Sequence, residues 1–274
     1  DSAHLTFKNN LDTTFNLIWA VKELVPKCHL IKLGTMGEYG TPNIDIEEGW
    51  LDIKHNGRND TFLYPRQAGS LYHTTKVLDT DLLWFYVRTS NLCVTDLMQG
   101  PVYGLSTKEA DLNVKLSPFF NYDDIFGTVV NRFVTQAVAG IPLTIYGKGE
   151  QVRGYINIKD TLQCIELAVD NQPKLGELRV LNQFTEKFSV NEIASIVKNA
   201  AVEMGLDVKV ESITNPRQEK EEHYYNPKHS GLVGLGLKPN FLTKDVIKEM
   251  IKAIIPFKKD IDIKKIMPRV NWEN

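Results

Sequence analysis

Helix-length segments alternate along this sequence with short apolar runs, and that alternation constrains the fold more than any other feature. The opening DSAHLTFKNNLDTTFNLIWAVKEL reads as a helix, and CHLIKLGT (28–35) follows as a short apolar run closing on Gly-Thr, the mark of a buried strand. WLDIKHNGRNDTFLY then sets Asn56-Gly57 between two loosely alternating runs, a β-hairpin signal. A second long helical segment, SLYHTTKVLDTDLLWFYVRTS, leads into the apolar run LCVTDLMQGPVYG (92–104). Strands separated by helices imply crossover units and a mostly parallel sheet. Such sheets collect ligands at the C-terminal ends of their strands, which sets Thr35 and Gln99 at one rim. Beyond about residue 105 the character changes. NYDDIFGTVVNRFVTQAVAG reads as helix, PLTIYGKGEQVRGYINIKD as strand and loop, and the last part mixes short elements.

The second helical segment carries Tyr72 and Lys76 four residues apart. Two further pairs, Tyr155/Lys159 and Tyr224/Lys228, share the spacing, which matters only on a helix, where i and i+4 lie on one face. Tyr155 sits in GYINIKD, which alternates like a strand. The Tyr224 pair encloses Pro227, which disfavours helical geometry at Asn226. Only Tyr72–Lys76 opens a helix, with Ser70 as its N-cap and Leu71, Val77, Leu78, Leu82 and Phe85 as its apolar stripe.

Composition removes several function classes. A formal net charge of -2 gives no basic footprint for nucleic acid. No apolar run reaches the roughly 18 residues of a membrane span. Cys28, Cys93 and Cys164 are odd in number and lack CxxC spacing, which points to a reducing compartment and away from a disulfide frame or a zinc site. The cytoplasm is the expected compartment, or the plastid stroma in a plant or alga. The chain begins inside its first helix, so a missing start is expected.

A phenol with a pKa of about 10 is a poor base at neutral pH. A cation one helical turn away favours the phenolate, and a strand-end hydroxyl such as Thr35 holds the oxygen that the phenolate deprotonates. That trio suits proton removal from an alcohol while hydride leaves the same carbon, which needs a nicotinamide acceptor.

In this order the residues resemble the extended short-chain dehydrogenase/reductase superfamily, nucleotide-sugar branch. NNLDTTFNLIWAVKE is similar to its Asn-x-x-(Gly)-Thr helix, LGTMGEYG to its Ser/Thr-x-x-x-Tyr-Gly strand, YHTTK to its Tyr-Lys pair and QGPVYG to its Asn-Val-Tyr-Gly-Pro turn. KLGTMGEYGTPNIDIEEG, SLYHTTKVLDTD, TDLMQGPVYG, FGTVVNRF, LTIYGKGEQVRGYI and NPRQEKEEHYYNPKH resemble, more narrowly, a branch that joins sulfite to UDP-glucose. The resemblance implies an α/β fold: a Rossmann-type parallel sheet flanked by helices, its first strands absent, with a smaller α/β substrate-binding domain. Residues 1–104 and 150–184 are expected in the first, 105–149 and 185–274 in the second. It also implies NAD, UDP-glucose and sulfite as ligands, a homodimer, and no metal.

Residue by residue, the resemblance implies Thr35, Tyr72 and Lys76 as the catalytic trio. Asn10, Thr35, Tyr72, Lys76 and Val102 would hold the cofactor, and Gln99, Thr128, Asn131, Arg153 and Arg217 the UDP-sugar. The two arginines suit phosphate or ribose, since guanidinium matches phosphate bidentately. The implied chemistry is oxidation at sugar C4, loss of water from C6, sulfite addition and reduction at C4. Sugar 4,6-dehydratases carry an Asp-Glu pair directly after the catalytic Thr; here Met36 and Gly37 stand there. Glu38 and His73 are therefore expected to handle the C5 and C6 protons. The superfamily's glycine-rich phosphate turn lies on its first strands and has no counterpart here, because GKGEQVRG comes late and opens no helix. A 4-epimerase, a 4,6-dehydratase, and a non-catalytic sugar-nucleotide binder remain alternatives.

Overall fold

The computed structural model describes residues 2–216 and 223–267. Helix α1 (Ser2–Leu24) leads into β1 (His29–Thr35), a 3-10 turn (Met36–Tyr39) and the hairpin β2 (Trp50–His55) and β3 (Arg58–Leu63). Then come α2 (Leu71–Ser90), β4 (Cys93–Gln99), β5 (Val102–Tyr103), α3 (Lys108–Leu112) and α4 (Val129–Ala139). β6 (Leu143–Tyr146), β7 (Val152–Asn157), α5 (Ile158–Asp170), β8 (Leu178–Gln183) and β9 (Glu186–Ser189) follow. The chain goes on through α6 (Val190–Glu203), β10 (Val210–Ile213), α7 (Ser230–Gly234), α8 (Lys244–Ile254) and α9 (Ile263–Ile266).

The chain divides into two compact units. The first comprises Asp1–Gly100, Leu162–Phe184 and Tyr224–Lys238. Its sheet is parallel, in the order β1-β4-β8, and its core gathers Ile18, Met36, Tyr39, Leu83, Val87, Val94, Met98 and Val180 around that sheet. The stretch 224–238 belongs here for a physical reason. Ile46 bridges Pro227, and the half-buried Glu48 carboxylate accepts from the backbone N–H groups of both Asn182 and Gly231. The hairpin turns on Asn56 (φ 48) and Gly57 (φ 76), both left-handed, as a two-residue turn of this hand requires.

In the second unit, Pro101–Thr161, Thr185–His223 and Pro239–Asn274, α4, α6 and α8 pack into a separate core with Phe133, Val197 and Ile251 fully buried. Burial of a side chain such as Phe133 contributes about 1.5–3 kcal/mol. β5-β7-β9 and β10-β6 form its small sheets.

Two expectations need correction. The helix read over NYDDIFGTVVNRFVTQAVAG starts only at Val129. Asp123 folds the preceding stretch back on itself, its carboxylate accepting from the N–H groups of Ile125 and Phe126, its carbonyl from Gly127. The apolar stripe assigned to α2 is also not its buried face, since Leu71 and Phe85 are exposed. α2 buries Leu83 and Val87 together with the polar Thr75, Asp79 and Thr80. Those polar side chains tolerate burial because partners meet them there: Asn10 at Thr75, and Lys32 and Asp96 at Thr80.

Candidate active site

β1 and β4 run parallel with Thr35 opposite Gln99, so both residues end their strands at one rim. Thr35 leaves the strand in extended conformation (φ -147, ψ 141) and caps the 3-10 turn. Its hydroxyl accepts from the Gly37 N–H at 3.2 Å, and the Glu38 carboxylate accepts from the Thr35 N–H at 3.2 Å. This reciprocal capping box fixes the direction in which the strand end points. Met36 turns inward and is buried; it packs.

α2 brings Tyr72, His73 and Lys76 to the same region of the first unit. Ser70 caps the helix, its hydroxyl accepting from the His73 N–H at 3.2 Å. The Tyr72 ring is 48% exposed. The Lys76 ammonium donates to the Leu33 carbonyl at 3.2 Å and lies 6.0 Å from the centre of the Tyr72 ring, which ties α2 to β1. Burial pushes the Tyr72 phenol above its ordinary value, and the Glu38 carboxylate adds to the rise. Lys32 acts against the rise.

His73 lies against Gly37. A Cβ built on Gly37 would fall 2.5 Å from His73 Cε1 and 2.7 Å from Cδ2, distances no real side chain accepts. The imidazole thus fills the volume that a side chain at position 37 would need. Its ring lies 5.3 Å from the Tyr72 ring, centre to centre.

Glu38 is fully buried. Oε1 accepts from Lys32 Nζ at 2.9 Å as well as from Thr35, and Oε2 accepts from Arg66 Nη1 at 2.9 Å with the Thr80 hydroxyl oxygen 3.3 Å away. Burial pushes its carboxyl up from the ordinary carboxylate range; Lys32 and Arg66 pull it back, and Asp96 adds to the rise. Lys32, Arg66, Thr80 and Asp96 were not identified from the sequence. A signal did exist: Lys32 and Asp96 are single charges inside the apolar runs LIKLG and CVTDLM, and a charge in a buried strand needs a partner.

The other expected residues divide between the units. In the first, Asn10 donates from Nδ2 to the Thr75 hydroxyl at 2.9 Å, and Gln99 donates to the Gln183 side-chain oxygen at 3.2 Å. In the second, the Thr128 hydroxyl donates to the Val102 carbonyl at 2.8 Å, and Asn131 Oδ1 accepts from the Gly104 N–H at 3.3 Å. These contacts draw Val102, Thr128 and Asn131 together at the start of α4. Arg153 on β7 contacts His223 at 2.8 Å. Arg217 lies outside the described residues. Gly147 and Gly149, both with positive φ, turn the chain from β6 into β7 and open no helix. Among the described residues no cluster of His, Cys, Asp or Glu suits a metal ion, and no helix is long and apolar enough to cross a membrane.

Residues 1–182 match the NAD dependent epimerase/dehydratase family. The chain is 51% identical over 268 residues to the chloroplastic UDP-sulfoquinovose synthase of Spinacia oleracea, covering 98% of this chain and 56% of the spinach protein. It is 46% identical over 275 residues to the UDP-sulfoquinovose synthase of Sulfolobus acidocaldarius, covering 99% of this chain and 70% of that protein. The chain therefore spans little more than half the length of the spinach relative. In fold it is similar to the UDP-glucuronic acid 4-epimerase of Bacillus cereus, solved with UDP-glucuronic acid and NAD. That match has a TM-score of 0.67 at 20% identity and covers 90% of this chain and 68% of the other.

Proposed function

The chain belongs to the NAD dependent epimerase/dehydratase family, and from that premise we propose that it carries the acid–base and sugar-nucleotide parts of a UDP-sulfoquinovose synthase, making UDP-sulfoquinovose and water from UDP-glucose and sulfite. The observation that carries this reading is the packing of His73 on Gly37. An imidazole fills the place where dehydratases carry an acidic side chain, so water loss from C6 proceeds with a different acid–base group.

The residues fit the nicotinamide end of NAD. A half-exposed phenol and a lysine ammonium stand beside the C-terminal end of β1, where hydroxyl and carboxamide groups find partners. No residue here is assigned to the cofactor's diphosphate, since the turn at Gly147 to Gly149 opens no helix. Bound at the end of β1, NAD would supply the hydride acceptor for C4 oxidation and the hydride for its later reduction.

Tyr72 takes the proton of the C4 hydroxyl, and Thr35 hydrogen-bonds the same oxygen. The C4 ketone acidifies the C5 hydrogen; His73 removes that proton and delivers it to the departing C6 hydroxyl, which leaves as water. Bisulfite then adds across the alkene, its sulfur bonding to C6 while its proton passes through His73 to C5, and Tyr72 returns its proton to the C4 oxygen. Glu38, fully buried with donors on both oxygens, acts through Thr35. Thr128, Asn131, Arg153 and Arg217 hold the UDP moiety, with Gln99 at the strand rim for the sugar.

The reaction is tested by incubating the full chain with UDP-glucose and sulfite, with and without added NAD. Mass spectrometry is expected to find a UDP-sugar carrying a sulfonate. UDP-galactose with no mass change would support a 4-epimerase instead, and no product together with no bound NAD would support a binding protein.

The reading includes a homodimer through α1 and α2. Exposed Phe15, Trp19 and Phe85 join Tyr86 in one aromatic patch there, with Phe15 stacked on Trp19 at 6.4 Å and Phe85 edge-on to Tyr86 at 5.2 Å. Sedimentation of the full chain is expected to give a dimer at micromolar concentration; a monomer there would sink the interface. The compartment implied is the cytoplasm, or the plastid stroma in a plant or alga.

A further inference from the structure

Beneath the Thr35 turn lies a charged group to which the mechanism gives no task. Lys32 projects from the middle of β1, its side chain only 9% exposed. All three ammonium protons are used: Glu38 Oε1 accepts at 2.9 Å, Asp96 Oδ2 at 3.0 Å and the Thr80 hydroxyl at 2.5 Å. Thr80 in turn donates to Asp96 Oδ2 at 2.8 Å. Arg66, on the stretch before α2, holds the far oxygen of Glu38. Two cations thus face two carboxylates, and one ammonium joins β1, β4, α2 and the turn that Thr35 caps. A buried ion cluster adds little net stability over apolar side chains of equal volume, so stability alone is no reason for it.

We propose, resting on the function proposed above, that Lys32 is a positioning residue for Tyr72. Its ammonium pins the charged Glu38 carboxylate under the Met36–Tyr39 turn, and so sets both the direction of Thr35 and the charge that the Tyr72 phenol faces. The turn that Glu38 and Lys32 hold meets His73 at Gly37, and the His73 ring lies 5.3 Å from the Tyr72 ring, with Asp96 and Arg66 completing the charged cluster. Its own helix contributes His73, Lys76 and Asp79. The α1 residues that meet α2 at Thr75 and Asp79 are Asn10 and Thr14, both uncharged. Glu38 opposes the phenolate and Lys32 favours it. On top of the rise that burial imposes, the balance between these two groups tunes how readily Tyr72 gives up its proton.

The test is ultraviolet difference titration of the Tyr72 phenolate in the full chain, each variant read against its own Tyr72→Phe derivative. Lys32→Met combined with Asp96→Asn keeps the cluster neutral, one arginine against one glutamate, while removing the cation that favours the phenolate. Its midpoint is expected to rise by roughly one pH unit. The acid limb of kcat, set by loss of the Tyr72 proton, should rise with it while KM for UDP-glucose holds. Glu38→Gln removes the opposing charge and is expected to move the midpoint down by a similar amount. A merely structural cluster moves neither midpoint, and that result, or a shift of both in the same direction, would overturn the proposal. Should the double variant not fold, Glu38→Gln decides alone: an unmoved midpoint rejects the route through Glu38. The titration is read without substrate, so it stands even where no sulfonated product forms. Absence of that product beside shifted midpoints would reject the functional reading only.

Discussion

Tyr72→Phe is expected to lower turnover by about 10²–10⁴-fold and to leave UDP-glucose binding and folding close to wild type. The substitution removes one oxygen from a side chain that is half exposed, and that oxygen holds no element in place. α2 keeps its Ser70 cap, its buried Leu83 and Val87, and its Lys76 tie to β1. Whatever is lost is therefore chemistry. Rapid-quench mass analysis of a single turnover separates the steps: the variant should accumulate unreacted UDP-glucose, because C4 oxidation comes first. Calorimetric titration with UDP-glucose checks that binding survives. A variant that turns over at the wild-type rate would remove Tyr72 from the mechanism.

Gly37→Ala should be nearly as damaging, with turnover down by roughly 10²-fold, the scale expected when a reacting group is displaced by about 1 Å. The added methyl cannot share space with His73 Cε1 and Cδ2, and Gly37 is held on both sides. Its N–H is bonded to Thr35 and its carbonyl accepts from the Gly40 N–H at 3.3 Å. The imidazole must give way. A double-mutant cycle with His73→Ala isolates the cause. If displacement of His73 is the whole effect, Gly37→Ala costs nothing further once the ring is gone. Wild-type turnover in Gly37→Ala would show that the position of the imidazole is irrelevant to the reaction.

Local signals were readable where one stretch of chain decides its own conformation. β1 and the Asn56-Gly57 turn follow from apolar runs and left-handed residues, and α2 starts where Ser70 can cap it. Helix reading failed before Val129 because Asp123 satisfies the local N–H groups with its own side chain, a competition that composition does not reveal. The α2 face was misjudged because hydrophobicity ranks Leu71 and Phe85 above Thr75, Asp79 and Thr80, and the partners that make those three buriable come from α1, β1 and β4. Tyr72, Lys76 and Thr35 were legible as a pattern. The shelter beneath them was not, since Lys32, Arg66 and Asp96 are up to 64 residues apart and meet only when the sheet forms. The place of His73 was half legible: the missing acid at position 37 was visible, but the ring that takes its volume needed the fold.

β1 pairs with β4 alone among the described residues, so the backbone groups on its other side are open to a further strand. Soluble proteins usually guard such an edge with a lysine standing in water, which makes strand addition by another molecule costly. The one lysine in this strand is Lys32, and it points inward to Glu38 and Asp96. Among the described residues this side of β1 carries no outward-facing lysine, so a further strand laid along it would meet no charge from β1 itself.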